Sequence, residues 1–290
     1  MFQMILVNGL VSGGLISVLA VGFSLVFGVA KIMNLAHTAF YMITAFLIFI
    51  GAKLVGLPPT LASVIAIIVT GVIGMLCYKF GFDRVKEHET AVMIISIAMA
   101  MLSQEILMFV FGAHYRGIPR LLNGFAEIMG VRISYQHIFA FAASILVLIA
   151  VLILLSRGRL GKAIRAVSQD SEIASLMGID VGRVCMITMG ISVVLAGVAG
   201  AVVGPIYMVR PTMWIDPLVI VLASVILGGL GSIKGSIIAA FILGLIEAAV
   251  TFLVPSGAFL KGAISLSIML LVLMLRPEGF FGVVFEEERL

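Results

Sequence analysis

Apolar runs long enough to cross a bilayer follow one another from about residue 4 to about residue 275. That repetition leaves the chain few ways to fold. Hydrocarbon offers no water to a backbone N–H or C=O, so a spanning segment must satisfy those groups itself, as an α-helix or within a closed barrel. The period-two alternation of a barrel strand is absent, and runs of roughly 20 apolar residues match a helix at 1.5 Å per residue. Only 11% of the 290 residues are charged, against about 25% in soluble domains. The sequence therefore predicts an all-α polytopic membrane protein: one transmembrane domain, a bundle of eight to nine helices with candidate half-helices. The expected spans are roughly 4–29, 37–55, 59–79, 90–112, 135–156, 184–209, 217–231, 236–255 and 260–275.

Basic residues gather in two loops, Lys79 to Lys86 and Arg157 to Arg183. Two spans separate them, so both face one side, which the positive-inside rule assigns to the cytoplasm. The loop between them, 113–135, then faces outward even though it carries Arg116, Arg120 and Arg132. Counting from there puts the N-terminus outside and the C-terminal Glu286-Glu287-Glu288-Arg289 inside. A re-entrant segment would alter that parity, and Lys31 to His37 and the glycine-rich turn Gly228 to Gly235 are the two places that invite one. The start of the chain has no basic n-region and reads as a retained first span. The net charge of +4 lies mainly in loops, a topology signal and not a nucleic-acid footprint. Cys77 and Cys185 have no metal-ligand spacing and read as small buried hydrophobes. Glycines four apart, at Gly9/Gly13, Gly200/Gly204 and Gly231/Gly235, predict helices in close backbone contact.

Catalytic signatures are missing from the sequence. There is no His-Glu-x-x-His pair and no Gly-x-Ser-x-Gly elbow. The turn Gly229-Leu-Gly-Ser-Ile-Lys234-Gly-Ser236 fails as a phosphate loop, which needs Gly directly before Lys and Ser or Thr directly after it. Mid-span charge is limited to Glu105 and Glu247. Each is either satisfied by polar neighbours on adjacent helices or part of a substrate or ion site. Asn34 and His37 also admit two readings. Asn34 caps a helix that begins within the membrane and turns its N–H groups toward a polar ligand, or it is an ordinary capping residue beside an interfacial histidine.

The polar excursion 157–182 is the most informative segment. Ser168 and Asp170 are good N-caps, and Glu172 falls in a first turn, where the helix dipole favours an acid. Ile173, Leu176 and Met177 recur at helical spacing, and Gly178 is placed to end the helix. A basic helix carrying Lys162 and Arg165 precedes it. An amphipathic helix of this kind either lies on the bilayer surface or docks into a partner's groove.

Four motifs, in order, resemble one family: Val29-Ala-Lys-Ile-Met-Asn34-Leu-Ala-His37; Gly161-Lys-Ala-Ile-Arg165-Ala166-Val-Ser-Gln169-Asp170 running on to Met177-Gly178-Ile179; Leu227-Gly-Gly-Leu-Gly-Ser-Ile233; and Arg276-Pro277-Glu-Gly-Phe-Phe-Gly282. Together they resemble the inner-membrane permease subunit of bacterial branched-chain amino acid ABC importers, the LivH type. The resemblance implies a non-catalytic subunit that binds no cofactor itself, ATP and Mg being held by its partners. Those partners are a second permease, homologous or identical, two cytoplasmic ATPases and a periplasmic binding protein. The resemblance makes 161–179 the coupling segment, with Arg165, Ala166, Gln169, Asp170, Ala174 and Gly178 at the ATPase interface and Ile173, Leu176 and Met177 as its buried anchor. Transport would proceed by alternating access, and Asn34, His37, Gly229 and Gly231 are the expected polar points of the pathway. The chain departs from the family pattern at Leu35, Thr38, Lys234 and the acidic tail. Relatives that carry urea, short amides or other amino acids share the framework, so a permease for one of those is the alternative. A stand-alone ion-coupled transporter using Glu105 and Glu247 is the more distant one.

Overall fold

The computed structural model describes residues 2–86, 88–128, 131–255, 257–276 and 278–281; the acidic tail expected on the inside lies outside them. Among these residues the chain forms eleven α-helices and one small hairpin. In order they are α1 Phe2–Ala30, α2 His37–Phe49, α3 Pro59–Phe80, α4 Glu89–Phe111, α5 Tyr135–Arg157, α6 Arg159–Gln169, α7 Ser171–Leu176, α8 Val181–Val203, α9 Ile215–Gly228, α10 Ile233–Leu253 and α11 Gly257–Leu275. A π-helical turn, Ile50–Leu54, prolongs α2. The hairpin, β1 Phe125–Ile128 and β2 Val131–Ser134, is antiparallel and pairs Phe125 with Ser134. Seven helices are long and apolar enough to cross a membrane, counting α2 with its π turn; α9 and α11 are shorter apolar helices.

Two helices form the centre. In α1, 78% of the most apolar stretch is buried, against 11% in α4, so α1 is an interior helix and α4 a peripheral one. The longest contact in the molecule runs between α1 and α10. Glycine makes it possible: a Cβ on Gly244 would lie 2.5 Å from the Cα of Gly13, and one on Gly9 would lie 2.8 Å from the Cα of Leu245. Without a hydrophobic gain in lipid, such backbone proximity is what holds helices together. On the opposite flank of α1, α8 packs against α1, α2 and α3. There Thr44 of α2 donates to the Phe40 carbonyl and meets Thr70 of α3 at 2.9 Å, two hydroxyls satisfied inside the bundle.

The path from α8 to α9 differs from the expected span of 184–209. α8 ends at Val203 because Pro205 lacks an N–H and its ring disfavours helical backbone before it. Residues 204–214 continue without regular helix, yet Val209, Met213 and Trp214 are buried. Their polar groups find partners in α4 and in the loop after it. Arg116 and Val209 exchange backbone hydrogen bonds of 2.9 and 2.8 Å, and the Trp214 indole donates to Gln104 at 2.8 Å. Irregular backbone survives at membrane depth only where protein covers it. With 14 residues α9 spans only about 21 Å, short of the hydrocarbon thickness, so this traverse is half helix and half loop.

The ends of the helices sort into two faces. Tyr78, late in α3, lies beside Cys185, early in α8, so the loops 79–86 and 157–183 share one end of the bundle. The hairpin and Arg116 are at the other. A substitution pair tests the packing. Gly244→Ala, which drives a methyl into α1, is expected to cost about 1–3 kcal/mol and lower the thermal midpoint of the purified chain. Gly262→Ala, within α11 where nothing lies within 4 Å, leaves it unchanged or raises it slightly. Equal midpoints for both would refute the α1–α10 contact.

Candidate functional site

Between α5 and α8 the chain leaves the bundle and makes two helices on the loop face. Gly158 is extended and serves both as the C-cap of α5 and as the N-cap of α6. Gly161 then lets α6 fold back onto the end of α5, because a Cβ there would strike the carbonyls of Leu154 and Leu155. α6 is amphipathic. Ile164 and Val167 are buried in the main core, whereas Lys162, Arg165 and Gln169 face outward and Ala166 is half-buried. Arg165 donates from Nη2 to the Ser156 carbonyl at 3.3 Å.

Asp170 starts α7. Its Oδ1 accepts from the N–H groups of Glu172 and Ile173, both at 2.9 Å, and supplies the cap that a six-residue helix needs. Ser168, the other expected cap, instead donates to the Arg165 carbonyl inside α6. At the far end Gly178 adopts φ +83°, and the N–H groups of Gly178 and Ile179 return to the carbonyls of Ser175 and Ala174. Asp180 then caps α8 by accepting from the Arg183 N–H at 3.0 Å.

The result is a short, tied-down helix whose large apolar side chains are left uncovered by the rest of the chain. Ile173, Leu176 and Met177 are 59, 87 and 79% exposed. Ala174 differs from the other expected interface positions: it is 3% exposed and belongs to the core. It sits one residue past Ile173, about 100° around the helix, so its small size seats α7 on the bundle and does not face outward.

The same face holds a cavity of about 710 Å³. It lies between the ends of α1 and α5, the length of α6, and the turn from α9 to α10. Segments far apart in sequence meet here. Gly229 and Gly231 have φ of +95° and +82°, in the left-handed region, and Gly231 packs on Gly28 with its carbonyl 3.3 Å from where a Gly28 Cβ would be. Gly228 abuts Gly235, which lets α9 turn directly into α10, and Ser232 caps α10 by accepting from the Gly235 N–H at 3.2 Å. The stretch after α11 closes the turn: Phe280 and Phe281 donate their N–H groups to the carbonyls of Leu227 at 2.8 Å and Gly228 at 3.2 Å. Lys31, Arg165 and Lys234 line the cavity, and none of its described lining residues is acidic.

Of the four expected pathway residues, Gly231 borders this cavity; Asn34, His37 and Gly229 do not. Asn34 accepts from the Ala36 N–H at 3.1 Å and makes a turn before α2. His37 is fully buried. Its Nε2 lies 3.1 Å from the Leu19 carbonyl, which can only accept, so that nitrogen carries the proton. Nδ1 is 3.2 Å from Ser192 Oγ, and Ser192 itself donates to the Gly22 carbonyl at 2.7 Å. This network pins α1, α2 and α8 where they cross. Glu247 is buried and accepts from Ser265 of α11 at 3.2 Å. Glu105 instead is exposed, and its neighbour Gln104 on the same helix donates to it at 3.2 Å.

A multi-pass bundle with an ordered, capped apolar helix on one face and a basic cavity beside it defines a membrane transport subunit better than an enzyme. The comparisons agree. Residues 5–273 match the family described as the branched-chain amino acid transport system permease component, and the chain belongs to that family. It is 31% identical to the high-affinity branched-chain amino acid transport system permease protein BraD of Pseudomonas aeruginosa, over 96% of this chain and 94% of that one. It is 28% identical to LivH of Escherichia coli, over 95% and 94% of the two chains. A probable LivH from Methanocaldococcus jannaschii is 27% identical, over 97% and 93%. Among solved structures, PsaBC from Streptococcus pneumoniae superposes with a TM-score of 0.54 over 93% of this chain and 91% of that one, at 14% identity, a likeness of fold.

The cap on α7 is open to test. Asp170→Ala removes both bonds to the first turn and should cost about 1 kcal/mol, read as roughly fivefold faster amide exchange over residues 171–178. Asp170→Asn keeps a capping oxygen and should keep the protection. Unchanged exchange in the alanine variant would mean that the cap does not hold the helix.

Proposed function

We propose that this chain is the permease subunit of an ATP-driven importer in the bacterial inner membrane and that it carries branched-chain amino acids by alternating access. One observation carries the reading: α7 is capped at both ends and seated by Ala174, yet Ile173, Leu176 and Met177 are covered by none of the chain's described residues. A monomer gains nothing from ordering three large apolar side chains in solvent, whereas a groove in a soluble partner would bury them. That partner is a cytoplasmic ATPase, with Arg165, Ala166, Gln169 and Asp170 flanking the anchor and Gly178 leaving room at its end. The loop face is accordingly cytoplasmic, and Phe281, the last described residue, lies on it, lining the same cavity as Arg165.

The other partners are a second permease, a homologue or a second copy, a second ATPase, and a periplasmic binding protein on the hairpin face. ATP and Mg belong to the ATPases. The names of the relatives supply the substrate class. The cavity is the inward vestibule, with Gly231 at its edge. Asn34 and His37 act at one remove, by holding the crossing of α1, α2 and α8 beside the pathway. An ion-coupled mechanism is less well supported, because neither Glu105 nor Glu247 borders the cavity.

Leu176→Glu combined with Met177→Glu tests the coupling role, since both positions are solvent-exposed in the isolated chain. The variant should insert and purify normally but lose ATPase co-purification and binding-protein-dependent uptake, because anchor residues of such interfaces are worth about 2 kcal/mol or more each. Full ATPase retention with normal leucine uptake would overturn the proposal.

A further inference from the structure

The transport reading leaves Glu105 without a role, and its surroundings are wrong for a carboxylate. It lies in α4, six residues before the helix ends at Phe111, about 9 Å along the axis. Phe109, one turn further out on the same face, is 93% exposed. Met101 and Leu102, one turn deeper, are exposed too. Glu105 is thus an exposed acid inside an apolar strip, below the outermost exposed residues of its helix.

The side chain is held in that place. The Trp214 indole can only donate, so at 2.8 Å it fixes the oxygen of the Gln104 amide. The amide NH2 then points to Glu105, whose Oε1 accepts from it at 3.2 Å. No other donor among the described residues reaches Glu105. Glu247 is the contrasting case: it is buried, and Ser265 of the neighbouring helix donates to it.

Lipid tails offer no donor at this depth, and carboxyl groups in spanning helices face protein or a watery path. Most of the exposed surface of α3, α4 and α5 is apolar and suits lipid, but this point of α4 does not. Met101, Leu102, Ile106 and Phe109 around Glu105 would line water poorly and pack well against a helix. The cover therefore lies within the membrane and carries a hydrogen-bond donor about one turn below Phe109. In the proposed importer the ATPases and the binding protein lie outside the bilayer, which leaves the second permease. We propose that the strip of α4 from Ala98 through Glu105 to Phe109 packs against the second permease, and that a hydroxyl, amide or basic side chain of that subunit donates to Glu105. The identity of the partner rests on the importer reading; the location of the contact rests on the geometry of Glu105.

Photo-crosslinking tests the contact in the complete importer in native membranes. p-Benzoylphenylalanine in place of Met101 is expected to give an adduct with the second permease, homologue or second copy, identified by its peptides. The same group in place of Ile68, exposed on α3, is expected to react with lipid alone. Glu105→Leu should lower recovery of the second permease on purification several-fold, whereas Glu105→Gln, which keeps an acceptor, should retain it. A lipid-facing Glu105 gives the opposite sign, because leucine suits lipid better than glutamate does. Since α4 is peripheral and position 105 exposed, neither substitution disturbs the fold of the chain itself. A Met101 adduct with lipid alone, equal adducts from both positions, or undiminished recovery with Glu105→Leu would each overturn this inference, and a recovered pair of permeases would leave the importer reading standing. Absence of any second permease from the purified complex would overturn both.

Discussion

Contact between the backbones of α1 and α10 sets the geometry on which the other helices depend. Lipid gives no reward for hiding leucine from leucine, so helices in a membrane associate through dispersion and close fit. Gly9, Gly13 and Gly244 remove the side chains that would hold the two axes apart. With α10 drawn in on one flank, α1 becomes the axis of the molecule, and α8 closes the other flank by the same device. There Gly200 lies under the Tyr41 carbonyl and Gly197 lies 3.2 Å, from its notional Cβ, to Thr44. The polar cost of such close approach is met internally. His37, Ser192, Thr44 and Thr70 all find partners at the crossings. The outer helices α3, α4 and α5 are left with apolar faces for lipid.

A second use of glycine, different in kind, builds the loop face. Gly229, Gly231 and Gly279 occupy the left-handed region, where a Cβ is strained, and Gly28 and Gly228 are in contact with backbone. These positions lie in three separate parts of the sequence. They meet because the turn between α9 and α10, the end of α1 and the strand of chain after α11 are packed into one knot, with α6 alongside. The ordered motifs that mark the family are therefore parts of one structure, and the glycines in them answer to sterics before they answer to function.

Much of this was legible in the sequence. Eight of the nine spans end close to where hydropathy puts them, because burial in lipid is read from composition alone. α8 is the exception: its apolar signal runs on past Pro205 into buried loop, and apolarity cannot distinguish a helix from covered irregular chain. The caps at Asp170 and Gly178 were legible since local hydrogen bonding is encoded locally. The inward turn of Ala174 was not, because its orientation depends on where α7 sits on the core. The cavity was not legible either, being assembled from five segments that only tertiary packing brings together. The partners of His37 were hidden for the same reason: nothing local announces that the Leu19 carbonyl and Ser192 wait for it.

On the proposed reading, the weak link in the loop face is also its mechanism. A six-residue helix has little stability of its own, since nucleation is costly and few hydrogen bonds follow it. α7 holds its shape only through its caps and Ala174, so a partner that grips Leu176 and Met177 can move it without unfolding anything larger. α6 is the opposite case. Gly161 locks it against the carbonyls of α5, Ile164 and Val167 root it in the core, and it touches α1, α5 and α8 at once. A push on α7 thus arrives at three spans through one rigid element, and those spans include the two whose ends wall the cavity. A longer, independently stable coupling helix would flex or melt less readily but would also need a larger interface to steer. A short one, properly capped, transmits displacement with the least structure to reorganise.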